Sequence, residues 1–550
     1  MNVIEQIHAQ LLTHIQAVFG LTSHDISDIT IDCNTEAAKQ QFGDLTTNAA
    51  LLLAKKLQKN PREVAQEIIT TFTHEYVAKV EIAGPGFINI FLTLAAFQQL
   101  AHDLFEEQDN FFKLNKEVKK TSYNIEFVSA NPTGPLHLGH GRGGIIGDVL
   151  GNILRFLGHT VTKEFYINDA GSQIEKLGNS FKIRCEQQLG KQVELPEDGY
   201  HGEYLVTLAQ QCIKEHSSGI IEKPVSFFAD YAKEHLLANI KKTLAAYGIE
   251  FDVWFSEKQL HESGAIAHAL TILDKNGYLY ELDGALWFKS TEFGDDKDRV
   301  VRKNTGELTY VAADIAYLLN KLERGAEHLI IVLGQDHHSY VMRLKAVLQG
   351  LRQDPNLLDV ILYQLVTLKE SGELVRMSKR AGRIISLEDI IETVGKDVAR
   401  FFYLNRKADA HLDFDIDLAS KQSDENPVYY IQYAYVRTNS ILEKADLIPE
   451  LRSITAADTQ YIAHGEQLLL KKIIALKILL ENMSKNYQTH LLTYYILELA
   501  HLFHSYYSVN RVIVPENTAQ SRGRLATIII LQKTFGLCLT LLGISKPEKM

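Results

Sequence analysis

The sequence predicts a multi-domain α/β protein: a parallel-sheet domain carrying a helical insertion, a small α+β unit before it and an all-α helix bundle after it. Three observations predict this. The chain has 550 residues, more than one hydrophobic core serves, so three or more domains are expected. Apolar strands such as residues 123–128 and 329–333 alternate with helical patterns up to about residue 369, the rhythm of βαβ units in a parallel sheet. From Asn426 onward apolar residues recur at helical spacing to the end, as in a bundle.

The elements follow in order. Residues 1–113 give an amphipathic helix, a second helix entered from Phe42-Gly-Asp-Leu-Thr-Thr-Asn and running through Leu57, and the strand-like Val80-Glu-Ile-Ala-Gly-Pro-Gly-Phe-Ile-Asn-Ile-Phe91. The charged stretch Lys113-Leu-Asn-Lys-Glu-Val-Lys-Lys120 reads as a linker. Residues 121–425 form the parallel-sheet domain, split by a mostly helical, more polar insertion over about residues 175–290. Within it Ser386-Leu-Glu-Asp opens a capped helix. Residues 426–550 are the helix bundle.

A hydrophobic content of 46% with 23% charged residues describes a soluble globular chain. The net charge of −11 argues against a generic nucleic-acid binder, and no DNA partner is expected. The charge is uneven, however: residues 431–550 hold 13 Lys and Arg against 9 Asp and Glu, so a phosphate-bearing partner is better met there. Cys33, Cys185, Cys212 and Cys538 form no CxxC pair, which fits a reducing cytoplasm and neither a zinc ribbon nor a disulfide framework. The N-terminus has no basic leader pattern. Gln532 and Lys533 interrupt the apolar stretch 526–544, so it reads as a buried bundle helix and no membrane partner is expected.

The chemistry concentrates in two places. Asn124-Ile-Glu-Phe-Val-Ser-Ala-Asn-Pro-Thr-Gly-Pro-Leu-His-Leu-Gly-His140 runs from an apolar strand through a Pro/Gly turn onto a helix that opens with His-x-Gly-His. His137 and His140, three apart, share a face; Gly139 removes a side chain where a base must lie close. No third ligand stands at zinc spacing, so no metal site is expected. Far downstream comes Arg376-Met-Ser-Lys-Arg380, where Lys379 offers a point charge to phosphates, Met377 and Ser378 belong to the loop, and Gly372 and Gly382 flank it. Imidazoles at a helix N-terminus plus a Lys/Ser loop are what a site needs to grip ATP and stabilise charge on its α-phosphate.

In this order, the two elements resemble the ATP-binding signatures of class I aminoacyl-tRNA synthetases. Ser129-Ala-Asn-Pro-Thr-Gly134, Tyr166-Ile-Asn-Asp-Ala-Gly171 and Met377-Ser-Lys-Arg-Ala-Gly382 narrow the resemblance to the arginyl-tRNA synthetases. Arg376 and Arg380 depart from the usual Lys-Met-Ser-Lys-Ser, while the second lysine is kept. The resemblance implies a Rossmann-like catalytic domain, an N-terminal domain that touches the tRNA elbow, and a C-terminal domain that reads the anticodon, to which Tyr430, Tyr433 and Arg437 could offer stacking faces. It also implies ATP as substrate with Mg2+ on the pyrophosphate, arginine and arginine tRNA as partners, a monomer, and tRNA bound before activation.

A guanidinium is a rigid five-donor fork, best met by carboxylates with an aromatic ring against its plane. Tyr310 and Asp314, four apart on a helical pattern, meet that need and match the family's arginine-binding helix. By resemblance Glu126 and Asn131 hold the substrate's amino group and backbone, with Gln335 and Glu257 as further contacts. A site built on charge pairing needs no editing domain to reject uncharged amino acids. Two other readings stand beside this one: a small-molecule adenylyltransferase of the His-x-Gly-His superfamily, and a catalytically idle tRNA-binding paralogue.

Overall fold

The structure, a computed structural model, describes residues 2–35, 41–115, 117–375 and 385–550. Two compact units result: Met1–Asn115 with Gln422–Asn486 and Leu491–Met550, and Lys116–Lys421 with Tyr487–His490. The N-terminal α+β segment and the helix bundle, expected as separate domains, therefore share one unit. Their joint core is tied by charge pairs far apart in sequence: Lys471 to Asp44 at 3.0 Å and Lys477 to Glu5 at 2.9 Å.

In that unit the strands β1 (Ile31–Cys33), β2 (Leu45–Thr47), β3 (Val77–Ala83) and β4 (Phe87–Leu92) form an antiparallel sheet in the order β1-β2-β4-β3. The stretch expected as one strand-like run over 80–91 is a hairpin. Gly86, at φ +141°, turns it where a Cβ would stand 2.8 Å from Pro61. The helix Thr518–Leu542 is long and apolar enough to cross a membrane, yet 72% of its most apolar window is buried inside the fold. It is a core helix of the bundle.

The second unit is built on a five-stranded parallel sheet. Its strands are β5 (Ser122–Glu126), β6 (Thr160–Ile167) and β7 (Val253–Ser256) and, after a small antiparallel sheet of β8 (Leu279–Leu282), β9 (Ala285–Phe288) and β10 (Arg299–Arg302), β11 (His328–Gly334) and β12 (Leu358–Tyr363). The order β12-β11-β5-β6-β7 places β5 centrally. The chain leaves β5 towards β6 and β7, then crosses to β11 on the other side, so a topological switch point opens at the carboxyl ends of β5 and β11. A last sheet joins β13 (Val366–Glu370), β14 (Glu373–Val375) and β15 (Leu412–Asp415) in the order β14-β13-β15.

The single insertion expected over about residues 175–290 divides in two. The helices from Ser172 to Ala246 are the helical part. The chain then returns to the main sheet as β7 before the two short helices Glu257–Glu262 and Ala265–Lys275 and the β8–β10 sheet. Four residues flanked by helices carry too short a pattern to be separated from them by periodicity.

The glycine-rich helix Leu138–Phe156 packs against this sheet at distances only glycine allows. A Cβ on Gly147 would stand 2.3 Å from Phe127, and one on Gly143 2.6 Å from the Tyr363 ring. Asp148, on the same helix, takes Lys163 of β6 at 2.6 Å and Arg400 of the helix Lys396–Leu404 at 2.5 Å, all three buried. Burial alone would raise the Asp148 pKa; Arg400 and Lys163 hold it below the usual carboxylate range. Arg142 donates to the carbonyls of Gln364, Lys407 and Ala410, pinning the segments after β12 and before β15. Asp148→Ala leaves two buried cations without their carboxylate and is expected to cost about 3–5 kcal/mol, read as a lower midpoint of denaturant unfolding.

Candidate active site

A cavity of about 1160 Å³ opens at the switch point, lined from β5, β6, β11 and the helices around them. It gathers the expected nucleotide residues His137, Gly139 and His140 and the expected amino-acid residues Glu126, Asn131, Glu257, Tyr310, Asp314 and Gln335. Met377, Ser378 and Lys379 lie outside the described residues. On the far side of them, Ile385 accepts from the backbone of Leu138 at 3.4 Å and Leu387 donates to Leu136 at 2.8 Å, so Ser386 bridges to His137 beside the cavity.

The turn out of β5 departs from relaxed backbone. Val128 and Ser129 have φ of +66° and +39°, a region where a β-branched residue is strained by about 1–3 kcal/mol. What holds it is visible: the Ser129 hydroxyl accepts from the Tyr166 amide at 3.0 Å and donates to Glu126 at 3.1 Å. Two side chains of the helical segment grip the turn further on. Gln173 accepts from Asn131 at 2.8 Å, and the Tyr204 hydroxyl donates to the Thr133 carbonyl at 2.6 Å.

His137 is the N-cap of the helix Leu138–Phe156, and His140 stands one turn in. Their rings stack with centroids 3.7 Å apart at 24°. Each uses Nδ1 as an acceptor: His137 from the Gly139 amide at 3.2 Å, His140 from the His137 amide at 3.1 Å. An Nδ1 that accepts is unprotonated, so the neutral ring carries its proton on Nε2. Burial, with the neighbouring His137 ring, lowers the His140 pKa to about 3. The pair thus forms two neutral Nε2–H donors at a helix N-terminus, suited to a developing anion.

The same cavity is also lined by acids. Burial, with Glu257 and Glu126 adding and Tyr340 and Arg343 opposing, raises Asp314 to about 7. Its Oδ2 is buried without a hydrogen bond. Burial, with Asp169 adding and the Tyr166 hydroxyl opposing, raises Glu257 to about 7. Tyr166 and Tyr317, ring centroids 4.6 Å apart, belong to the wall, and Tyr310, 57% exposed, stands at the mouth. Such a pocket leaves acceptors waiting for a cation with a flat face.

Glu126 differs from the other two acids, because Lys321 reaches its Oε2 at 2.5 Å. Sequence reading missed Lys321, Tyr317, Tyr204 and Tyr340, and it named Ser129 and Tyr166 within motifs without assigning them a role. A signal existed for two: Tyr310, Asp314, Tyr317 and Lys321 fall at successive spacings of four, three and four on the helix Tyr310–Glu323, one continuous stripe.

Residues 5–92 match the family model described as the arginyl tRNA synthetase N terminal domain, and residues 431–550 match the DALR anticodon binding domain. Residues 103–413, over half the chain, match the catalytic domain of tRNA synthetases class I (R). The arginine–tRNA ligase of Anoxybacillus flavithermus is 41% identical over 560 residues, with 100% of each chain covered. The chain belongs to the arginyl-tRNA synthetase family. The arginine–tRNA ligase of Nitrosospira multiformis is 40% identical, covering 96% of this chain and 97% of that one. Among solved structures, a putative arginyl-tRNA synthetase from Campylobacter jejuni is 34% identical with a TM-score of 0.76, covering 84% of this chain and 100% of that one. The Thermus thermophilus arginyl-tRNA synthetase, at 20% identity and TM-score 0.77 over 100% of both chains, shares the fold.

Removing only the hydroxyl with Tyr204→Phe leaves the Thr133 carbonyl without its donor while keeping the ring. The turn that leads from Asn131 to His137 loosens, the histidines shift with it, and the KM for ATP is expected to rise about three- to tenfold, as one hydrogen bond of about 1 kcal/mol dictates. Steady-state kinetics with thermal unfolding as control checks it.

Proposed function

We propose that this chain joins arginine to the 3′-terminal ribose of arginine tRNA at the expense of ATP, through an enzyme-bound arginyl-adenylate. The observation that carries the reading is one cavity with two kinds of wall: imidazole donors at a helix N-terminus, and carboxylates raised to about 7, of which Asp314 has a buried, unbonded oxygen. The first wall suits a polarised α-phosphate. The second suits a guanidinium.

The arginine carboxylate is already a nucleophile at neutral pH, so the first step needs alignment and charge stabilisation rather than a general base. It attacks the α-phosphorus of ATP, the bond to the bridging oxygen breaks, and pyrophosphate leaves. His137 and His140 donate their Nε2–H groups to the α-phosphate, and Lys379 neutralises charge on the leaving phosphates. Mg2+ enters on the pyrophosphate, as part of the nucleotide substrate. In the second step a terminal ribose hydroxyl attacks the adenylate carbonyl and AMP leaves.

Asp314 and Glu257 take the guanidinium, with Tyr310 over it, while Glu126, Asn131 and Gln335 hold the α-amino end. Lysine, a single ammonium, leaves part of the acid wall unpaired, so it is the competitor rejected by geometry. For the tRNA, the N-terminal segment takes the elbow and the helix bundle the anticodon. In the bundle the Arg437 guanidinium lies 4.5 Å from the Tyr433 ring and Tyr433 is half exposed, a face on which an unstacked base fits. The chain works as a cytoplasmic monomer, without DNA or membrane partners.

Arginine-dependent exchange of pyrophosphate into ATP, run with and without arginine tRNA, tests the reading. Exchange with arginine and not lysine, appearing only when tRNA is present, is expected; exchange with another amino acid instead would end it.

The acid wall also sets a pH dependence. The form that binds a cation is the carboxylate, and with both acids at about 7 in the empty cavity, the ionised fraction falls as pH drops below that value. Arginine KM should therefore rise about tenfold or more from pH 8 to pH 6 and level off above pH 8. Because the guanidinium favours ionisation, protons should be released on binding near pH 7, visible in calorimetry as a heat that varies with buffer. Asp314→Asn should raise arginine KM by about 10²-fold and remove part of the proton release. A flat profile would contradict the assignment.

A further inference from the structure

Two acids stand side by side beneath the cavity. In the parallel pairing of β5 with β6, Glu126 lies in register with Glu164. Both are buried, and like charges on neighbouring strands repel. The Lys321 ammonium, whose side chain is 0% exposed, sits 2.5 Å from Glu126 and 3.9 Å from Glu164. Lysine is almost never wholly buried unless paired.

The two acids are not treated equally. Glu164 has other partners: Arg324 at 2.7 Å, the Tyr317 hydroxyl at 2.5 Å and the Asn124 amide at 3.1 Å. Burial would raise its pKa, but Lys321, Arg324 and Tyr317 hold it below the usual range. Among the described residues, Glu126 has Lys321 as its one charged partner within 4 Å, with the Ser129 hydroxyl on its other oxygen. Each carboxylate oxygen accepts about two hydrogen bonds. With one used on each, Glu126 keeps acceptor capacity towards the cavity it lines.

We propose that Lys321 is a positioning residue for amino-acid recognition: its ammonium neutralises the Glu126–Glu164 pair and fixes the Glu126 carboxylate for the α-amino group of arginine. The inference rests on the arginine reading above. It divides the three acids of the cavity into two classes. Asp314 and Glu257 lack an ammonium partner and exchange a proton for the ligand's guanidinium, whereas Glu126 is balanced from within the protein. Lys321 is wholly buried and does not line the cavity, whereas Glu126 does, so its effect should fall on arginine binding through Glu126. Around it stand Glu126 from β5, Glu164 from β6, Tyr317 from its own helix and Arg324 from that helix's C-cap; Asp314, Glu257 and Tyr340 line the same cavity as Glu126.

Without the ammonium, two register-paired carboxylates cannot both stay ionised in a buried space, and one takes a proton from solvent. In Lys321→Met the arginine KM at pH 7 is expected to rise about 10- to 100-fold. The acid limb of the pH profile of kcat/KM for arginine should move up by about one pH unit or more. The KM for ATP should stay within about threefold, and Lys321→Arg should restore most of the arginine affinity. A profile superimposable on that of the wild type, or an equal loss for arginine and ATP, would overturn the proposal. Where Lys321→Met yields no folded protein, the charge-balanced pair Lys321→Met with Glu164→Gln decides: arginine KM at least tenfold above wild type with ATP KM unchanged supports the role, and arginine KM within twofold of wild type refutes it. Failure of the underlying reading looks different, because the wild-type chain itself would then show no arginine-dependent exchange.

Discussion

A parallel sheet covered on both faces offers no water to an ionised side chain, so every charge placed in its strands must be met by protein. This chain puts Glu126, Lys163 and Glu164 into β5 and β6. The rest of the second unit is arranged around their partners. Lys321 comes from the helix Tyr310–Glu323 and Arg324 from its C-cap, Asp148 from the glycine-rich helix, and Arg400 from the helix Lys396–Leu404. These pairs tie the strands to segments that precede and follow the Met-Ser-Lys region in sequence. Breaking one leaves a buried charge alone, which costs far more than the pair contributes, so the network acts as a register pin for the helices.

The same constraint explains the strained turn. For the Ser129 hydroxyl to bridge the Tyr166 amide and Glu126, the chain must bend sharply just past β5, and Val128 with Ser129 takes up the bend at positive φ. The bend sends Asn131 and Thr133 towards the helices that begin at Ser172, where Gln173 and Tyr204 receive them. The turn is thus held at one end by the sheet's charge network and at the other by the helical segment. A shift of those helices would be felt at the histidines through Asn131-Pro-Thr-Gly-Pro. Strain held by contacts on both sides is typical of sites where geometry matters more than local stability.

Much of this was legible in the chain itself, for identifiable reasons. The strand, turn and helix that carry His137 and His140 are contiguous, and Tyr310 with Asp314 were picked out by helical spacing together with the family resemblance of that helix. Lys321 lies on the same stripe, but a lysine in a helix is ordinarily read as solvated, and only the register of β5 against β6 reveals the two acids that require it. The Nε2–H tautomers depend on two amide contacts that spacing does not reveal. β7 escaped because four residues between helices give no measurable period. The joining of the N-terminal segment to the bundle escaped because it rests on pairs such as Asp44 with Lys471, whose partners are separated by most of the chain.

The acid wall poses a problem that the raised pKa values of Asp314 and Glu257 resolve. Three ionised carboxylates around one cavity would repel each other and lose hydration, a cost borne whenever no ligand is present. With burial raising Asp314 and Glu257 to about 7, each holds a proton about half the time near neutral pH and the cost is shed. On the proposed reading, in which Asp314 and Glu257 take the guanidinium of arginine, the proton leaves when that cation arrives. Selectivity then comes from the ligand's ability to displace protons from both acids at once. A planar cation with several donors spans the two, whereas a compact ammonium satisfies one and leaves the other protonated. A neutral side chain displaces none. Rejection is therefore built into the ionisation of the wall, and it strengthens as the wall becomes drier.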